Sequence, residues 1–167
     1  MNLSPSWNQQ AGTRIRRLLD GVAPTGPLLL RLWLAQEFMQ AGYIKLNGGW
    51  HAPEWFVSLT FPAPVGWLPA DLNWVAAGVA EVALGLLLLI GLWGRLAALG
   101  LLFVTWVAVY SVHFDLGWSG WNQIETDTGL GFKVPLMIAL MLWALLASGM
   151  GRWSVDAWWQ KRQSPLS

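Results

Sequence analysis

The sequence predicts an all-α membrane protein, a bundle of four transmembrane helices whose outer loops lie at the bilayer interface. Three observations predict it. Four apolar stretches, about residues 27–46, 72–91, 96–112 and 134–149, each approach the ~20 residues with which a helix crosses ~30 Å of hydrocarbon. Hydrophobic residues make up 55% of the chain and charged ones 11%, under half the roughly 25% of soluble domains, and mean hydropathy is +0.44. Tryptophans gather mostly outside the four stretches, as expected of amphipathic rings at a membrane interface.

Residues 1–26 are polar and carry Arg14, Arg16 and Arg17 with no apolar run before Pro27, so the first span is expected to be an uncleaved anchor rather than a signal peptide. Among these arginines, Ile15, Leu18, Leu19 and Val22 recur at helical spacing, which predicts a short cytoplasmic amphipathic helix on the membrane surface. Residues 27–149 form the membrane domain, and residues 150–167, with Trp153, Trp158, Trp159 and Lys161, form a cytoplasmic interfacial segment.

The connections between spans are unequal. Gly91-Leu92-Trp93-Gly94-Arg95 is a tight turn that makes the second and third spans antiparallel neighbours. Between Asn47 and Ala70 lie Trp50, Trp55, Phe56, Phe61, Trp67 and four prolines, too broken to span and too apolar for open water. With the stretch from Phe114 to Lys133, which holds Trp118 and Trp121, this loop is expected to cap one end of the bundle. Pro135 reads as the start of the last span, where a missing N–H is harmless.

Positive charge sets the orientation. With four spans both termini share a side, and that side holds Arg14, Arg16, Arg17, Arg95, Arg152, Lys161 and Arg162, with Arg31 near a span end; the other side has Lys45 and Lys133. The positive-inside rule then places both termini in the cytoplasm of a bacterial-type inner membrane. The formal charge of +1 leaves no basic stripe for nucleic acid. The absence of cysteine removes thiol nucleophiles, iron–sulfur ligation and dithiol relays, so any electrons must travel on a cofactor or a partner.

An ordered set of residues resembles the DoxX family: Leu28-Leu29-Leu30-Arg31-Leu32, Leu34-Ala35, Phe38, Ala41-Gly42 and Lys45 in the first span; Phe56, Pro62 and Pro64 in the loop; Glu81, Gly85 and Gly91-Leu92; Arg95-Leu96-Ala97-Ala98; His113 with Gly117-Trp118; and Gly151-Arg152, Ser154 and Asp156. The resemblance covers about residues 27–160. It implies a four-helix membrane bundle and, loosely, redox work, since the family includes small subunits of quinone-linked oxidoreductases and membrane partners of soluble oxidative-stress enzymes. Gln36, Glu37 and Gln40 depart from the usually apolar first helix of the family.

Two carboxylates carry the candidate chemistry. Glu37 and Glu81 fall about midway along the first two spans, where a charged carboxylate costs ~2.5–3.5 kcal/mol, so both are expected to turn inward, be protonated or be paired. Gln36, Gln40, Tyr43 and Asn47 form one stripe of the first span with Glu37 on its flank, and Gly78, Glu81 and Gly85 place a carboxylate in a groove of small residues. One reading has Glu37 and Glu81 relaying protons to a quinone headgroup or holding a cation; the other has them hydrogen-bonded to Gln40, Tyr43 or indoles, keeping helices in register. On the third span Phe103, Trp106, Tyr110 and His113 share a face, either a ring-binding wall or core packing. Lys45 either snorkels to headgroups or meets Glu54, Asp115 or Glu125. His51 and His113 fall on one side, but two histidines without cysteine do not make a closed zinc site, so no protein-ligated metal or haem is expected.

The expected function is therefore a subunit of a quinone-linked redox system, an oxidoreductase component if catalytic. Glu37, Glu81 and His113 are its candidate catalytic residues, and Gln40, Tyr43, Lys45, Trp106 and Tyr110 surround the quinone in a polar pocket open to the outer face. The alternative is a membrane anchor or maturation partner that docks a soluble enzyme. Expected partners are the bilayer, a soluble redox enzyme or another membrane subunit, and a second copy of the chain. Alternating-access transport is disfavoured in so small a bundle.

Overall fold

The computed structural model describes residues 16–163; of the expected amphipathic N-terminal helix, Arg14 and Ile15 lie outside them. Residues 16–22 are helical, with Leu18, Leu19 and Val22 exposed. Four long helices then follow the four apolar stretches: α1 (Thr25–Asn47), α3 (Ala70–Ile90), α4 (Gly94–Val112) and α5 (Lys133–Ser148), with a single turn α2 (Glu54–Val57) in the first long connection and α6 (Val155–Gln163) at the end. A two-stranded ribbon, β1 (Glu125–Thr126) against β2 (Gly129–Leu130), adds a small antiparallel element to a chain expected to be all-α. Residues this polar and this few carry no strand pattern; the Thr126–Gly129 turn makes the ribbon.

The helix ends follow from local chemistry. Pro69 precedes α3 in an extended conformation, and Pro135 lies in the first turn of α5, where no intrahelical donor is needed. At the end of α3, Gly91 takes φ +68°, and the Gly91 and Leu92 amides turn back to the carbonyls of Leu88 and Leu87. This αL exit satisfies two orphan carbonyls and sends the chain straight into α4.

The four long helices close a ring, α1 against α3, α3 against α4, α4 against α5 and α5 against α1. Its centre is Leu34, Phe38, Leu88, Ala98, Leu101, Leu142 and Leu145. The α1–α3 seam is the tightest. A Cβ built on Gly42 would lie 2.6 Å from the Gly78 carbonyl oxygen, and one built on Gly85 would lie 2.8 Å from Met39 Cγ, so the small-residue groove expected around Glu81 is where α1 docks.

Among the described residues two helices, α3 and α4, are long and apolar enough to cross a membrane; α5 is apolar but 16 residues long, and α1 carries Arg31, Glu37 and Lys45. The apolar residues are not confined to an inward stripe. Val79, Leu96, Leu99, Leu140 and Trp143 are all more than half exposed, the arrangement of helices whose outer surface meets hydrocarbon rather than water.

Candidate functional site

The tight 91–93 turn holds α3 and α4 together at one end, and they touch again where Gly100 meets Leu84: a Cβ on Gly100 would lie 2.7 Å from Leu84 Cδ1. Beyond that contact the space between them becomes a cavity of about 530 Å³, reaching the end of the bundle that carries the two long connections. Small residues on α3 (Ala76, Ala77, Ala80) and aliphatic ones on α4 (Val104, Val107, Ala108) form its walls, with Phe103 at its edge. Trp55, Phe56, Phe61, Val65 and Leu68 of the first long connection close over it. That covering is fixed by tilted and edge-on ring contacts: Phe56 meets Phe61 at 4.9 Å and Trp74 at 5.0 Å between centroids. Of the expected cap, the first long connection is thus a packed lid rooted on α3, while Trp118 and Trp121 of the second do not border the cavity.

Polar groups enter this apolar space at two places. On the α1 side, Lys45 Nζ donates to both oxygens of Glu81, at 3.0 and 2.8 Å, with the lysine side chain 20% and the glutamate 8% exposed. The Lys45 ammonium also lies 5.8 Å from the Trp74 ring centroid, while the Trp74 indole N–H donates to the Lys45 carbonyl at 3.1 Å. On the α4 side, Ser111 and His113 line the cavity, and Ser111 Oγ and His113 Nδ1 are buried with no hydrogen-bond partner among the described residues. Burial lowers the His113 pKa below its ordinary value, against the opposing pull of Asp115. Buried polar atoms left unpaired in a roomy cavity are a standing reason for a ligand or water to enter.

The residues singled out by sequence divide accordingly. Glu81, Lys45 and His113 come together around the cavity, although Lys45 meets the mid-helix carboxylate rather than an acid of the long connections. Glu37 is half-buried and does not border the cavity, so the two mid-helix carboxylates do not flank one pocket. Gln40 and Tyr43 are exposed on α1, because the wheel position that makes them a stripe faces away from the Gly42 seam. Trp106 and Tyr110, each about half exposed, stack with Phe103 along the outside of α4; of that stripe only Phe103 and His113 reach the cavity. The histidines sit in different settings, His51 being exposed and paired with Asp71 at 3.1 Å. Asp115 accepts from the Leu130 amide of the ribbon at 3.1 Å.

Sequence reasoning passed over Ser111 and Asn73, which border the cavity, and the burial of Arg31. Counted as a charge near a span end, Arg31 is 2% exposed and donates to the carbonyls of Met150 (2.8 Å), Trp153 (3.0 Å) and Leu89 (3.3 Å). The Asp156 carboxylate accepts from the Trp93 and Gly94 amides at 2.9 and 3.0 Å, capping α4. These two charges tie the end of the bundle opposite the cavity into one unit.

The family model DoxX matches residues 26–114, the stretch that contains both sides of the cavity. A protein of Haemophilus influenzae described as uncharacterized is 37% identical over 131 residues, covering 77% of this chain and 80% of its own. An uncharacterized membrane protein of Mycobacterium tuberculosis is 31% identical over 163 residues, covering 95% of this chain and 91% of its own. No solved structure matches the chain.

Proposed function

Because the chain belongs to the DoxX family and is a membrane protein, we propose that it is a four-span inner-membrane subunit of a quinone-linked redox system, with the α3–α4 cavity as its quinone site. In this reading α1 and α5 also span, both termini are cytoplasmic, and the lid faces the outer side. Arg95, Arg152, Lys161 and Arg162, which lie in or beyond the connections at the end away from the cavity, support that orientation.

The observation that carries the reading is the juxtaposition of an apolar slot with two polar contact points, Ser111 and His113, at its lid end. A quinone is an amphiphile with an apolar tail and two carbonyl oxygens. The walls of alanine and valine suit the tail, and the Ser111 hydroxyl and the His113 imidazole suit a carbonyl or hydroxyl. When bound, a quinone supplies two-electron, two-proton redox chemistry, with the electrons coming from a partner. The chain's own part is to hold the ring, exclude water and keep a titratable imidazole beside it.

The test uses full-length protein in nanodiscs and a short-chain quinone analogue. Saturable quenching of tryptophan emission is expected, together with quinone in the organic extract of the purified protein. Ala77→Leu and Ala108→Leu, which fill the slot without touching its polar groups, should weaken binding about tenfold or more. No quenching at saturating analogue, or equal affinity in the filled variants, overturns the assignment.

A further inference from the structure

Away from their ends, the exposed residues of α3, α4 and α5 are apolar, Val79, Leu86, Leu99, Phe103, Met137 and Leu140 among them. Helix α1 is the exception. Its exposed face carries Gln36, Gln40 and Tyr43, with Glu37 half-buried beside them, and Gln36 is the middle residue of the 23 from Thr25 to Asn47. Amides at that depth have no water to bond. They do not turn inward, because the inward face of α1 is committed to Leu34, Phe38 and the Gly42–Gly78 seam.

We infer that this polar face of α1 is the contact surface of a homodimer, covered by the same face of a second copy. The inference rests on the membrane-spanning reading of α1 proposed above, and not on the quinone. The chemistry selects a second copy because the face is self-complementary. Gln36 Nε2 donates to Gln40 Oε1 at 2.6 Å on this exposed face, which leaves both amide donors of Gln40, the second donor of Gln36 and the carbonyl oxygen of Gln36 for a partner. Around a two-fold axis each donor set meets the other copy's acceptors. Interhelical amide bonds of this kind hold membrane helices together, and the exposed Tyr43 and Trp33 extend the surface in both directions along α1. The cavity lies between α3 and α4, so each copy keeps its own site.

The absence of cysteine makes the chain ready for cross-linking. Gln36→Cys, Gln40→Cys and Tyr43→Cys are introduced singly in full-length protein, with Leu99→Cys and Met137→Cys as exposed controls on α4 and α5. Oxidation in native membranes should give a disulfide-linked dimer at the α1 positions and not at the controls. In nanodiscs of defined lipid, Gln36→Leu with Gln40→Leu should weaken dimerisation about five- to tenfold, the loss expected for a small number of interhelical hydrogen bonds. No dimer at any α1 position, equal dimer at the controls, or cross-linking of α1 to a different protein overturns the inference. Rapid labelling of Gln36→Cys by a membrane-impermeant maleimide would remove the α1 span along with the interface, whereas slow labelling without dimer removes the interface alone.

Discussion

Lys45 Nζ lies 2.8 Å from Glu81 Oε2, joining the last turn of α1 to the middle of α3 beside the cavity. The pair explains how a carboxylate is held inside an apolar bundle without facing lipid. It also gives α1 a fixed register on α3, since the glycine seam of Gly42 and Gly78 lies within a turn of both charges. Removing one partner leaves the other buried and uncompensated, while removing both leaves an apolar contact.

Lys45→Met and Glu81→Leu, each alone, should therefore destabilise the protein by about 3 kcal/mol, the lower end for a broken buried pair. The double substitution should recover most of the loss. Thermal unfolding in detergent, arranged as a double-mutant cycle, measures the coupling; additive losses would show that the ion pair does not fix the helices.

Gly42→Ala should cost about 1–3 kcal/mol, because the new methyl group meets the backbone oxygen of Gly78 rather than a movable side chain. Gly26→Ala, with open space around its Cβ position, is the matched control and should unfold near the parent temperature. The same unfolding experiment reads both.

Asp156→Ala removes the acceptor for the Trp93 and Gly94 amides and should cost about 1 kcal/mol, the usual worth of a helix cap. Its effect should appear first as faster hydrogen exchange in the 91–95 turn. Exchange unchanged there would show that the cap is not what holds α4 in place.

Stability should fall as pH drops below the ordinary His113 value of 6.5. The buried imidazole resists protonation in the folded chain, so the unfolded chain binds more protons in that window, and protons then favour unfolding. Above that value the two states hold this group alike, and the contribution is constant. His113→Gln should flatten the dependence between about pH 5 and 7 in thermal unfolding, leaving the plateau at higher pH.

The long helices were legible because hydropathy and punctuation are local. Four apolar runs, Pro69 and Pro135 at starts and Gly91 at an end are enough to place α1, α3, α4 and α5. Part of the site was legible too: a carboxylate among glycines at Gly78, Glu81 and Gly85 marked the seam where α1 docks. Its partner was not. Lys45 lies 36 residues from Glu81, and a helical wheel says which residues share a face but not which face meets a neighbour. For the same reason Gln40, Tyr43, Trp106 and Tyr110, correctly grouped into stripes, were assigned to the interior and lie outside it.

Composition and periodicity alone established a helical protein with apolar helices, the order of its elements and the residues able to carry proton chemistry. The rotation of each helix about its axis came from packing: the contact of Gly42 with Gly78 turned Lys45 toward Glu81 and left Gln40 outside. The divergence of α3 from α4 beyond Gly100 then opened the space that Ser111 and His113 face. Both depend on close approach between residues distant in the chain, a property of steric fit that no local pattern encodes.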